Sequence, residues 1–141
     1  MKLVDTNVLL YAVDAESPYN SQSLKWIEET ISAAPGIAMA WIVIVGFVRL
    51  STRRGILRTP LTVSEALSSV DDWLGHPNVH ILHPGKRHAD LFARLLLAAG
   101  TAGNLTNDAH LAALAIEHNA EIGTFDRDFK RFSGLKFQLI A

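Results

Sequence analysis

The 141-residue chain contains no cysteine. That removes disulfide cross-links, a thiolate nucleophile, thiolate-bound zinc and iron–sulfur clusters, so any metal chemistry must rest on oxygen or imidazole ligands. Charge of one sign is also missing: 13 Lys+Arg against 14 Asp+Glu leave a net charge of −1. Attraction to a polyanion then depends on where the charges sit, not on their sum. No Gly-rich loop ends in Gly-Lys-Ser/Thr, which excludes a P-loop NTPase. Long apolar runs are absent as well. The uncharged stretch from Thr30 to Val48 is broken by Pro35-Gly36 and falls short of the roughly 20 residues that cross a bilayer. Lys2-Leu3-Val4 is cut off by Asp5 before a secretory core can form. The expectation is a cytoplasmic protein with no membrane association. With no linker, repeat or low-complexity segment, one domain over 1–141 is expected.

Short apolar runs alternate with helical patterns. Lys2-Leu3-Val4-Asp5 reads as a strand, and Val8 to Ala12 as a helical turn that ends near Ser17-Pro18. Leu24, Ile27 and Ile31 recur at helical spacing within Asn20–Ala33. Pro35-Gly36 turns the chain into a strand at Ile37-Ala38-Met39, and a helix is expected from about Ile42 to Arg54. Thr62-Val63-Ser64-Glu65 fits a capping box for a helix that reaches Gly75. A strand follows at Val79–Leu82, then a helix at His88–Ala99. Thr106 or Asn107 is the expected cap of a helix from Asp108 to His118. Strands at Glu121–Thr124 and Lys136–Leu139 complete an α/β sandwich around a mostly parallel sheet.

In such a sheet ligands bind beyond the carboxyl ends of the strands. Asp5 ends the first strand, Asp126 and Asp128 follow the strand at Ile122-Gly123-Thr124, and Asp108 opens a helix after a Gly-containing turn. Each acid has a plainer explanation taken singly: a helix cap, a solvated turn, an Asx turn. Together at strand ends they point to function. Converging carboxylates raise one another's pKa unless a cation lies among them. An all-oxygen donor set selects Mg²⁺ or Mn²⁺, and the chemistry that suits is metal-assisted hydrolysis of a phosphodiester.

Four segments carry a resemblance: Val4-Asp5-Thr6-Asn7, Phe47-Val48-Arg49, Asn107-Asp108-Ala109-His110 with its Leu-Ala continuation, and Thr124-Phe125-Asp126-Arg127-Asp128-Phe129. In this order, from Val4 to about Phe132, the chain resembles PIN-domain proteins of the VapC toxin type. The resemblance implies a PIN-like three-layer sandwich. It also implies a Mg²⁺-dependent endoribonuclease, with Mn²⁺ as the alternative ion, that acts as the toxin of a type II toxin–antitoxin module. A VapB-like antitoxin and a homodimer are the implied partners. Asp5, Asp108 and Asp126 match the acidic catalytic and metal positions, and Asp128 matches an auxiliary acid. Such proteins commonly carry a Glu just before Phe-Val-Arg. Here that position is Gly46, and no acid occurs between Glu29 and Glu65. A second reading, a PIN fold that binds RNA or an antitoxin without cutting, rests on this departure.

Arg49, Arg53, Arg54 and Arg58 form a segment with no acid among them. Arg49 and Arg53, four apart, are expected on one helix face as a rim for RNA phosphates, with Arg54 beside them. The alternative is a solvated helix end favoured by the dipole. Arg127, Lys130 and Arg131 flank the last acids. The histidines do not form a zinc set: His80, His83 and His88 gather no carboxylate or thiol before Asp90. His110 lies roughly 200° around its helix from Asp108. Phe125 and Phe129 are read as core in preference to base-stacking groups. A haloacid dehalogenase-type phosphatase needs a second Asp where Asn7 stands, and a receiver domain needs an Asp where Met39-Ala40-Trp41 offers none.

Overall fold

A computed structural model describes all 141 residues. Five strands, β1 (Lys2–Val4), β2 (Ile37–Met39), β3 (Val79–Ile81), β4 (Glu121–Thr124) and β5 (Lys136–Leu139), form one sheet in the order β3-β2-β1-β4-β5. Every pairing is parallel, so the expected mostly parallel sheet is wholly so. Six helices accompany it: α1 (Thr6–Val13), α2 (Asn20–Ser32), α3 (Trp41–Thr52), α4 (Val63–Leu74), α5 (His88–Ala99) and α6 (Thr106–Glu117).

Successive strand residues point to opposite faces. Leu3 and Val4 of β1 and Ile37, Ala38 and Met39 of β2 are all fully buried, so both faces of the central sheet are covered. This is the burial expected of a parallel sheet with helices on each side, a three-layer sandwich. The edge strands β3 and β5 are only partly buried. α1 packs against α2 and α3, α3 against α4, and α5 against α6. No helix is long and apolar enough to cross a membrane.

The capping box at Thr62 is present: its side chain accepts from Glu65 N at 3.1 Å, and the Glu65 carboxylate accepts from Thr62 N at 3.0 Å. Three expectations are corrected. The helix carrying Asp108 begins at Thr106, after a 3₁₀ turn over Gly103–Leu105, and has no side-chain cap. The turn itself supplies the entry, with Leu105 buried beneath it. α3 ends at Thr52, and Arg53 has extended backbone (φ −87°, ψ 143°). Arg53 therefore does not continue the face of Arg49. The Asp-Arg-Asp segment is no simple turn, because Arg127–Arg131 winds into a 3₁₀ helix capped by Asp126.

One contact fixes the sheet against α2. A Cβ built on Gly123 would overlap the indole of Trp26, so β4 can lie this close only with glycine there. Trp26 Nε1 also donates to Gln138 Oε1 on β5 at 3.1 Å. Gly123→Ala is expected to cost about 1–3 kcal/mol by overpacking. Urea denaturation reads this as a lower midpoint at unchanged slope; unaltered stability would show that Trp26 can move aside.

Candidate active site

The strand order reverses at β1: the chain builds outward through β2 and β3, then returns to lay β4 on the other side of β1. The carboxyl ends of β1 and β4 thus flank the switch point of the sheet, where a crevice opens in folds of this kind. A cavity of about 460 Å³ lies there, lined by Asp5, Asn7, Gly46, Arg49, Asp108 and Asp126 among others. Leu10, Ile42, Val43 and Leu111 give it apolar walls.

Each acid reaches the cavity by a different route. Asp5 follows β1 and caps α1: its Oδ1 accepts from Thr6 N at 2.8 Å. Its Oδ2 accepts from the hydroxyl of Thr124 at 2.7 Å. That hydroxyl in turn accepts from Asp126 N at 2.9 Å and from Asn7 Nδ2 at 3.3 Å. Asp126 caps the following 3₁₀ helix through Asp128 N, at 2.8 Å. Asp108 sits in the first turn of α6. Asp128 is exposed and does not line the cavity, yet its charge reaches Asp108.

The electrostatics follow from crowding. Burial raises the Asp5 carboxyl above its ordinary value, opposed by the Thr124 and Thr6 hydrogen bonds, with Asp126 adding repulsion. Asp108 is pushed up to about 6, first by burial and then by the charges of Asp5, Asp126 and Asp128. No hydrogen bond offsets this for Asp108. The donor set is all oxygen, which fits a hard divalent cation. No three carboxyl or imidazole groups stand close enough to hold one ion directly. A cation here would be met by one or two carboxylates directly and by the others through water.

Among the cations, Arg49 lines the cavity from the last turn of α3. Arg53 and Arg54 are exposed in the loop beyond it and do not line the cavity. Arg58 is not free of acids, because Glu16 from the α1–α2 loop approaches it at 3.4 Å. His110 is turned away from the acids: its Nδ1 lies 2.9 Å from His88 Nε2, between α5 and α6. Phe129 is fully buried, as expected of a core residue. Thr124 and Asn7 carry roles that residue type alone does not announce. Their signal is position, one in the last place of β4 and one three residues past the end of β1.

These features agree with what the chain resembles elsewhere. Residues 2–135 match the PIN domain family model. Ribonuclease VapC37 of Mycobacterium tuberculosis is 47% identical over 137 residues, covering 97% of this chain and 95% of that protein. Ribonuclease VapC33 of the same organism is 39% identical, covering 97% and 96%. Among solved structures, VapBC2 from Rickettsia felis, bound to a DNA fragment from its promoter, superposes with a TM-score of 0.71 at 22% identity, over 97% of this chain and 96% of that one. The chain belongs to the PIN-domain family and, within it, to the VapC ribonucleases.

The raised Asp108 carboxyl has a signed consequence. Between about pH 4 and 6 the folded protein holds a proton there that the unfolded chain has already released. Metal-free stability is therefore fully present below the unfolded pKa and falls as pH rises through about 6. Asp108→Asn is expected to stabilise the metal-free protein near pH 7.5 by about 1–2 kcal/mol, allowing for the solvent that reaches the group. Near pH 4 the gain should vanish. Denaturation in chelator at both pH values tests this; equal stability near pH 7.5 would contradict it.

Proposed function

We propose that the chain is a divalent-metal-dependent endoribonuclease, the toxin of a toxin–antitoxin pair acting in the cytoplasm. It hydrolyses RNA phosphodiester bonds in the switch-point cavity. The observation that carries this reading is that carboxylates at the ends of β1 and β4 and in the first turn of α6 line one cavity, where near neutral pH a cation would relieve their like charges. Its close relatives are named ribonucleases, which supports the substrate class. The likeness to VapBC2 supports the fold on which a VapB-like antitoxin and a second copy of the chain would act.

Asp5, Asp108 and Asp126 would hold Mg²⁺ at the cavity wall, one or two of them directly and the rest through its waters, with Asp128 adding negative charge from outside it. When bound, the ion supplies Lewis acidity toward a phosphoryl oxygen and a more acidic water. The chain's own residues do the rest. Thr124 holds the Asp5 carboxylate in one orientation and ties it to the backbone of Asp126. Arg49 offers a guanidinium to a phosphate beside the acids. Arg53 and Arg54 extend the positive rim outward along the strand of RNA.

Incubation of the protein with total RNA, with and without Mg²⁺, is expected to give discrete mapped ends only with the ion. Asp126→Asn and Asp108→Asn should lower cleavage by at least roughly 100-fold, since losing even an outer-shell partner of a metal costs 10–100-fold. Full activity in Asp108→Asn would overturn the assignment. RNA bound but left intact by the wild type would favour the non-cutting reading.

That second reading is motivated by Gly46, which lines the cavity. A Cβ there would stand 3.3 Å from Thr6 Oγ1 and 3.5 Å from Thr6 Cγ2. The glycine thus has a packing role where α3 crosses the start of α1, whatever its effect on the metal. Helix propensity favours Ala by about 1 kcal/mol and the tight contact opposes it, so Gly46→Ala should change stability little. Gly46→Glu adds a carboxylate to the cavity wall and is expected to bind Mn²⁺ more tightly than either the wild type or Gly46→Ala. Calorimetric titration decides; equal affinity in both variants would refute a missing-ligand role.

A further inference from the structure

Beside the acidic cavity three aromatic rings form a cluster that the chemistry above does not use. Tyr11 of α1, Tyr19 at the start of α2 and Phe125 after β4 lie with centroids 5.0 to 5.2 Å apart. Phe125 meets Tyr11 edge-on at 86°, and Tyr19 leans on both rings at 47° and 43°. Tyr11 and Phe125 are half-buried, whereas Tyr19 is 39% exposed. Its backbone is anchored: Tyr19 N donates to Ser17 Oγ at 3.1 Å, and Tyr19 O accepts from Ser23 N at 3.0 Å. Asn20 next to it donates to the carbonyls of Tyr11 and Ala12 at 2.8 and 3.2 Å. The ring is therefore held in place before any ligand arrives.

The cluster is continuous with the cavity. Asn7, which lines the cavity, and Tyr11 are four apart on α1 and share one face, about 6 Å along the helix. Phe125 N donates to Asn7 Oδ1 at 3.4 Å, and the next residue is Asp126. The exposed cation Arg127 follows. A strand with a phosphate among the acids would pass next to this fixed aromatic face, with Arg127 beside it. That combination of basic track and stacking ring is what binds single-stranded nucleic acid.

We propose that Tyr19, backed by Tyr11 and Phe125, is a stacking platform for an unpaired base of the RNA strand held in the cavity. The proposal rests on the nuclease reading above. Fixing the ring in advance lowers the ordering cost of binding. Stacking is tolerant of base identity, so the platform selects unpaired RNA over duplex and does not select a sequence.

The test uses a short single-stranded RNA that the wild-type protein cleaves, with binding measured in Ca²⁺ in place of Mg²⁺ and the RNA checked to remain intact. Tyr19→Leu is expected to weaken binding roughly 5- to 150-fold, the range for losing one stacked base. Tyr19→Phe should keep wild-type affinity. Abasic substitution walked along the RNA should weaken wild-type binding most at one position near the cut, and at that position Tyr19→Leu should show no additional loss. Equal RNA affinity in Tyr19→Leu and wild type, or an additional loss as large at every abasic position, would overturn the platform. A Tyr19→Leu protein that binds RNA normally but loses its antitoxin would assign the ring to a protein interface and overturn it equally. If the wild type cuts no RNA at all, the nuclease reading itself fails; if it cuts and the coupling is zero, only the platform fails.

Discussion

The hydroxyl of Thr124 is the point on which the acidic site turns. It is fully buried, with one proton to give and two lone pairs to fill. The proton goes to Asp5 at the end of β1, and the lone pairs take Asp126 N and the Asn7 side chain. All of its hydrogen-bonding capacity is spent joining two parallel strands at the place where their acids emerge. A Thr here combines β-branched stiffness, which suits a strand, with a hydroxyl held in one rotamer. Without that tether Asp5 would keep only the Thr6 N–H to steady a carboxylate buried among other negative charges.

The same arrangement sets carboxylates against the fold. Asp5 and Asp108 are held in a partly dry cavity beside like charges, and the raised proton affinity of these two records first their burial and then the repulsion. The structure sustains it because β1 and β2 are sealed on both faces and α1, which Asp5 caps, is clamped by α2 and α3. A cation placed among the acids would convert the repulsion into attraction, so the feature that weakens the metal-free protein is the one that would hold the ion. Arg49 lies close by on α3 and does not pair with any of them, which leaves its charge free for a phosphate.

Two glycines show how backbone proximity is arranged around this centre. Gly123 lets Trp26 rest directly on β4, and Gly46 lets α3 cross α1 at Thr6. Neither needs an unusual backbone angle, since neither lies in the left-handed region. What they supply is the absence of a side chain where two elements meet. The histidines follow a different logic. His88 and His110 pair between α5 and α6, with Phe92 near both rings, and His118 meets the His83 carbonyl at 2.7 Å. The first pair ties α5 to α6, and the second ties the end of α6 to the loop after β3.

Much of this was legible in the residues. Apolar stretches between turn signals located the five strands. A parallel strand buried on both faces must be apolar at every position, as Ile37-Ala38-Met39 is, whereas the edge strands mix apolar with polar residues, as Val79-His80-Ile81 does. The capping box at Thr62 and the strand-end positions of Asp5 and Asp126 are local patterns, and local patterns survive into the fold. What tertiary structure alone decided involves groups far apart in the chain. Thr124 and Asp5 are 119 residues apart, and nothing in either segment shows that their side chains meet. The end of α3 at Thr52 separated Arg53 and Arg54 from the face of Arg49, a boundary that periodicity places only loosely. The joining of Tyr11, Tyr19 and Phe125 depends on the chain returning to lay β4 beside β1. Sequence periodicity reports which face of an element is apolar, but the order of strands decides which faces and which ends are brought together.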